Sequence, residues 1–146
     1  GADCDAVVTD LATRFHDFSA GHRVCGHASG CQHLHGHNYR VTFFCRAAQL
    51  DKLGMVIDFK VMKSTLCEFL EREWDHKMLI WEKDPWADAL CAVDPEGVLL
   101  VPFNPTAEQL ANHLLRVVGP KVLPPEITLV RVQMDETRKC SAIAEL

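Results

Sequence analysis

No run of apolar residues in this 146-residue chain approaches the roughly 18 needed to cross a bilayer, so the sequence offers no helical membrane span. The start, GADCDAVVTD, lacks the basic and apolar regions of a signal peptide, and the expectation is a cytosolic protein. Internal repeats, low-complexity tracts and blocks of like charge are also missing. Basic residues are scarce: 15 Lys and Arg stand against 20 Asp and Glu, for a formal charge of −5. That balance argues against a nucleic-acid partner, because phosphate binding draws heavily on Lys and Arg. The seven cysteines (Cys4, Cys25, Cys31, Cys45, Cys67, Cys91 and Cys140) are odd in number and irregular in spacing, which excludes a secreted disulfide framework and leaves free thiols. What remains is 48% hydrophobic residues, enough for one globular domain over residues 1–146 that acts on a small molecule.

The densest chemistry is CQHLHGH, residues 31–37, with three histidines and a thiol in seven positions. The following residues alternate: His35, His37, Tyr39, Val41, Phe43 and Cys45 share one parity, and Gly36, Asn38, Arg40, Thr42, Phe44 and Arg46 the other. This is the pattern of a half-buried strand. Two histidines one residue apart diverge by about 200° on a helix but share a side on a strand, so only the strand lets His35 and His37 converge on one ion. Upstream, from about Val7 to Ala20, Arg14, His16, Phe18 and Ala20 share a strand face that His22 ends. Gly26 to Gln32 reads as a loop that carries Cys31.

Asp58 as N-cap, followed by Phe59, Met62, Leu66, Phe69, Leu70 and Trp74, predicts a helix that stops before Asp75-His76. Thr106 and Gln109 form a capping box for a second helix, which buries Ala107, Leu110, Ala111, Leu114, Leu115 and Val118 and is expected to stop at Gly119-Pro120. The stretch between them reads as mostly irregular, with one short strand, GVLLV. Ile127 to Glu136 and Cys140 to Leu146 read as two strands about a turn at residues 137–139. On the first of these Val130, Val132, Met134 and Glu136 share a face. The predicted order is ββααββ, an α+β fold with a four-stranded antiparallel sheet and two helices on one face. By parity His22, His37 and Glu136 each end an apolar face, which points to a pocket at one end of the sheet.

Three neutral imidazoles are a common catalytic set for Zn²⁺ that leaves a fourth position open. The His35/His37 pair is the stronger half of that reading, since each side chain otherwise buries polar nitrogens on an apolar face. His22 joins by position alone. Cys31 admits three roles: inert thiol, fourth zinc ligand closing a structural Cys-His₃ set, or base or nucleophile near the metal. Asp75-His76 fits a helix cap, where a cationic histidine suits the dipole, and also fits a proton shuttle. Glu136 is either a solvated strand end or a ligand contact. His33 shares parity with His35 and His37, and it joins their face if the strand starts early.

Taken together, FSAGHR, C-x₃-HGHNY, MVIDF, WDHKML, PFNPTAE and DET resemble the 6-pyruvoyltetrahydropterin synthase family, from about Phe18 to the last strand. The three residues between Cys31 and HGH resemble the bacterial 6-carboxytetrahydropterin synthase branch of queuosine biosynthesis; the animal pyruvoyl enzymes have a longer interval. The resemblance implies the tunnelling fold, whose subunit sheets join into a barrel with active sites at interfaces, so a homo-oligomer, a hexamer by expectation. It implies His22, His35 and His37 as zinc ligands, Cys31 as catalytic thiol, Asp75 and His76 as proton-relay partners, and Glu136 as anchor for the pterin's amino-pyrimidine edge. The implied substrate is 7,8-dihydroneopterin triphosphate and the implied products are 6-carboxytetrahydropterin, acetaldehyde and triphosphate. A pyruvoyl-forming or aldolase-like activity is the alternative enzyme, and a structural zinc protein the alternative outside enzymes. Two departures stand out: Gly21 replaces the usual alanine or serine, and the stretch from Asp84 to Val101 is long.

Overall fold

The computed structural model describes residues 8–146. Val7, where the first strand was expected to begin, and Cys4 lie outside them. The strand itself, β1, covers Ala12–His22, and β2 covers His35–Ala47. They pair antiparallel in a register that sets His22 opposite His35 and Ala20 opposite His37. Burial follows the alternation in the sequence: Phe18, Ala20 and His22 are buried on β1, and Tyr39, Val41, Phe43 and Cys45 on β2.

The expected four antiparallel strands are present as β1, β2, β5 (Ile127–Asp135) and β6 (Ser141–Glu145). The sheet continues beyond them. Lys77–Trp81 (β3) lies parallel to β1, and Val98–Val101 (β4), the expected GVLLV strand, lies parallel to β3. The full order is β4-β3-β1-β2-β5-β6, a mixed six-stranded sheet in an α+β fold. Leu79 and Ile80 are neighbours and both fully buried, so β3 is covered on both faces, as strands with parallel partners usually are.

Residues 59–74 form helix α1, whose N-cap Asp58 accepts a hydrogen bond from Lys60 N–H. A short helix α2, Ala87–Val93, occupies the stretch expected to be irregular. Residues 107–122 form α3, and its cap Thr106 accepts from Gln109 N–H as the capping box requires. This helix does not stop at Gly119-Pro120. Its last segment, Gly119–Val122, carries Pro120 inside the helix, after the wider π-helical turn Leu114–Val118, and forgoes one backbone hydrogen bond there. A Cβ on Gly119 would lie 2.7 Å from Leu129 Cδ2, so glycine allows α3 to approach β5.

Helices α1 and α3 cover one face of the sheet, where Leu66, Leu70, Leu110 and Leu114 pack on Val41, Phe43, Val132 and Met134. The expected face on β5 changes at one place. A register shift opposite Phe44 and Cys45 leaves Val130 as an extra residue, and Leu129 takes the buried position instead. Beyond the bulge Val132 and Met134 point inward as expected. The opposite face is polar, with Arg40 forked onto Asp17 at 2.8 and 3.0 Å. Among the described residues no cysteine is paired, and no helix is long and apolar enough to cross a membrane.

Candidate metal centre and its surroundings

Strand alternation and the β1/β2 register bring His22, His35 and His37 together at the end of the helix-covered face. Their potential ligand atoms all lie within 4.8 Å of one another. The three ring centroids are separated by 4.5, 5.2 and 5.0 Å, a near-equilateral set.

Backbone carbonyls fix which nitrogen of two rings bears the proton. His22 Nδ1 lies 2.7 Å from the carbonyl oxygen of Pro105, and His35 Nδ1 lies 2.7 Å from that of His33. A carbonyl only accepts, so in each ring Nδ1–H donates and Nε2 keeps its lone pair. His22 is 1% exposed, and its Nε2, like that of His37, is buried without a hydrogen-bond partner. Burial pushes the His22 imidazole below its ordinary pKa against the pull of the Pro105 carbonyl, and burial does the same to His37 against the nearby Glu136. Neutral, buried, unsatisfied imidazole nitrogens facing one another are costly unless a cation takes them up. The donor set suits Zn²⁺ with a position left open.

Glu136 sits just past β5, with Oε1 3.5 Å from His37 Nε2. Tyr39 forms the floor: it is 1% exposed, its hydroxyl is 3.4 Å from His22 Nδ1, and burial, aided by Glu136, pushes its phenol up. Cys31 lies in a tight turn, Gly30–Gln32, and is half-buried. Its thiol is not a member of the three-histidine group, so this geometry gives no support to a closed Cys-His₃ site. His33 is exposed and precedes the strand; its carbonyl, rather than its ring, serves the group.

Asp75 and His76 follow α1 on the far side of β1. Asp75 Oδ1 accepts from Ser19 N–H at 3.0 Å, and Asp75 Oδ2 lies 2.9 Å from His76 Nδ1. Partial burial works against the Asp75 carboxylate, but the Ser19 N–H and His76 outweigh it and hold its pKa below the ordinary value. His76 takes a left-handed backbone, φ +61°, with its N–H donating to Ser19 O, and its side chain is 82% exposed. Ser19 and Gly21 on β1, with Gly36 and Asn38 on β2, have the parity opposite to the three histidines. With His76 and Met78, and with His37 from the histidine group, they line a 480 Å³ hollow on the helix-free face. A larger concavity of 860 Å³ on that face, lined among others by Asp17, Asn38, Gln133 and Arg138, holds none of the histidine group, so size does not locate the chemistry.

Gly21 has a structural counterpart: a Cβ there would lie 2.5 Å from Met78 Cε, so this methionine fills the place of an alanine or serine Cβ. Sequence reasoning missed Pro105 and the carbonyl of His33. Pro105 belongs to PFNPTAE, but nothing in its residue type signals a carbonyl aimed at a histidine 83 positions away. Tyr39 carried a usable signal, the shared parity with His35 and His37.

A model of the family described as 6-pyruvoyl tetrahydropterin synthase matches residues 11–146. The chain is similar to the 6-carboxy-5,6,7,8-tetrahydropterin synthase of Rickettsia typhi, at 34% identity over 130 residues, which is 88% of this chain and 94% of the relative. A probable 6-carboxy-5,6,7,8-tetrahydropterin synthase of Halobacterium salinarum is 34% identical over 125 residues, 85% of this chain and 79% of the relative. Among solved structures, a protein of Wolinella succinogenes superposes with a TM-score of 0.81 at 23% identity, covering 93% of this chain and 97% of the other. The 6-pyruvoyl tetrahydropterin synthase of Caenorhabditis elegans does so with a TM-score of 0.65 at 24% identity, covering 94% and 95%. The family match across nearly the whole chain, joined to relatives above 30% identity over most of their length, shows that this chain belongs to the 6-pyruvoyl tetrahydropterin synthase family, a family of lyases.

Proposed function

We propose that this enzyme converts 7,8-dihydroneopterin triphosphate and one water to 6-carboxy-5,6,7,8-tetrahydropterin, acetaldehyde and triphosphate, as a cytoplasmic step of queuosine biosynthesis, with zinc held by His22, His35 and His37. The observation that carries the metal reading is the orphaned pair of buried Nε2 atoms, on His22 and His37, within the histidine group. The carboxy product is favoured by the names of the relatives and by the three-residue interval between Cys31 and His35. Zinc bound there would supply a Lewis acid that polarises an oxygen of the substrate's side chain.

The remaining work falls to side chains of this chain. Cys31 moves a proton at the substrate carbon as thiolate. His76, oriented by Asp75, acts as acid, and its exposed position allows it to do so. Glu136 accepts hydrogen bonds from the pterin's amino-pyrimidine edge, the strong charged-acceptor kind. Asp75 and His76 stand beside the sheet face opposite the histidines, so the reading requires that a second copy of the chain supply them. Strands β4 and β6 are the open edges of the sheet and offer backbone for joining copies into a closed oligomer, a hexamer in this proposal.

Product analysis decides the function. Incubation with dihydroneopterin triphosphate should release acetaldehyde and leave the carboxylated pterin. Triphosphate release with the three-carbon side chain intact would assign the pyruvoyl reaction instead.

A further inference from the structure

We infer that Arg23, clamped by Asp84 and Trp86, is a positioning residue that sets where the Cys31 loop stands relative to the histidine group. The inference rests on the proposed role of Cys31. Arg23 follows His22 directly and is 7% exposed, and its partner Asp84 is 5% exposed. Each guanidinium nitrogen has a partner. Nε donates to Asp84 Oδ2 at 2.5 Å, Nη1 to the Gln32 carbonyl at 2.8 Å and Nη2 to Cys25 Sγ at 3.7 Å. Its Cζ lies 3.6 Å from the centre of the Trp86 ring. Asp84 uses its other oxygen to accept from the Trp86 backbone N–H at 2.8 Å, which ties the carboxylate to the residue whose ring covers the guanidinium.

The segment that these contacts hold has little else to hold it. Residues 26–30 and 32–34 are exposed, and the turn Gly30–Gln32 buries no side chain. Apolar packing therefore does not place Cys31, and polar links at the base of the loop do. Arg23 reaches Gln32, the residue after Cys31. Val24 N–H donates to the Cys31 carbonyl at 2.7 Å. Asn104 closes the other side, its amide accepting from Cys25 N–H and donating to Cys25 O. Asn104 precedes Pro105, whose carbonyl orients His22, so one short segment references both the thiol loop and the metal ligand.

A buried ion pair adds little net stability over apolar side chains of the same volume. A planar guanidinium with divergent donors, by contrast, fixes three partners in set directions, which a lysine does not. The long stretch after β3 thus acquires a purpose: it delivers Asp84 and Trp86 to the back of the Cys31 loop.

The experiment compares Arg23→Lys and Trp86→Leu with the wild type in four readouts: bound zinc, kcat, KM for dihydroneopterin triphosphate, and iodoacetamide alkylation of Cys31 relative to exposed Cys140. The expected result is unchanged zinc and KM, kcat lower by about ten- to hundredfold in Arg23→Lys, and an altered alkylation rate at Cys31. Wild-type alkylation and kcat in Arg23→Lys would overturn the inference. Should Arg23→Lys fail to fold, Trp86→Leu, which keeps the buried pair, is judged by the same readouts. Turnover by Cys31→Ala would refute the catalytic thiol itself, while the alkylation comparison would still judge the clamp.

Discussion

The histidine group and the proposed proton-handling residues share one sheet but are built by different means. His22, His35 and His37 sit on two paired strands, mostly buried, with two of the rings locked by backbone carbonyls. Cys31 sits in an exposed-loop turn, and His76 projects from a left-handed residue with its imidazole 82% exposed. The difference separates two requirements. A metal needs donors fixed before it arrives, which a paired register supplies within one chain. Proton transfer needs groups that meet the substrate, and in the proposed assembly the half-buried Cys31 and the exposed His76 of a second copy would do so.

The comparison breaks most completely if a ligand is removed. His22→Ala should abolish bound zinc, read by atomic absorption, and bring turnover to background, because only two of the three histidines would then remain in the group. Retention of zinc by this variant would show that the carbonyl-locked ring is not a ligand. A mixture of Cys31→Ala and His76→Ala chains, each inactive alone, should recover up to about one quarter of wild-type activity after unfolding and refolding together, the statistical share of interfaces with both side chains intact. No recovery would place both groups in one chain. Glu136→Gln should keep zinc and raise KM by roughly ten- to hundredfold, the effect of losing a charged acceptor worth about 1.5–3 kcal/mol. An unchanged KM would remove Glu136 from the pterin contact. His33→Ala should be nearly silent in zinc and kcat, because the backbone carbonyl that orients His35 survives the substitution.

Strand period explains what could be read in advance. Alternation from His35 to Cys45 fixes which residues share a face, and pairing with the equally alternating β1 then brings three histidines to one point. The helices were legible from caps and stripes because Asp58 and Thr106 make local hydrogen bonds. β3 was not, since KMLIW is buried on both sides and so shows no alternation, and it follows a helix whose apolar pattern it extends only as a run. The helix α2, only seven residues long, gives too short a window for a period to emerge. The bulge at Val130 and the Pro105 carbonyl depend on contacts distant in sequence, and no residue type announces them.

The separation of metal from proton transfer is tested most directly by one measurement, zinc content and turnover on the same preparation of Cys31→Ala. The account predicts a full complement of zinc, about one per chain, with turnover at background. Loss of zinc together with the thiol would make Cys31 a ligand, convert the centre to a closed structural site, and contradict the account.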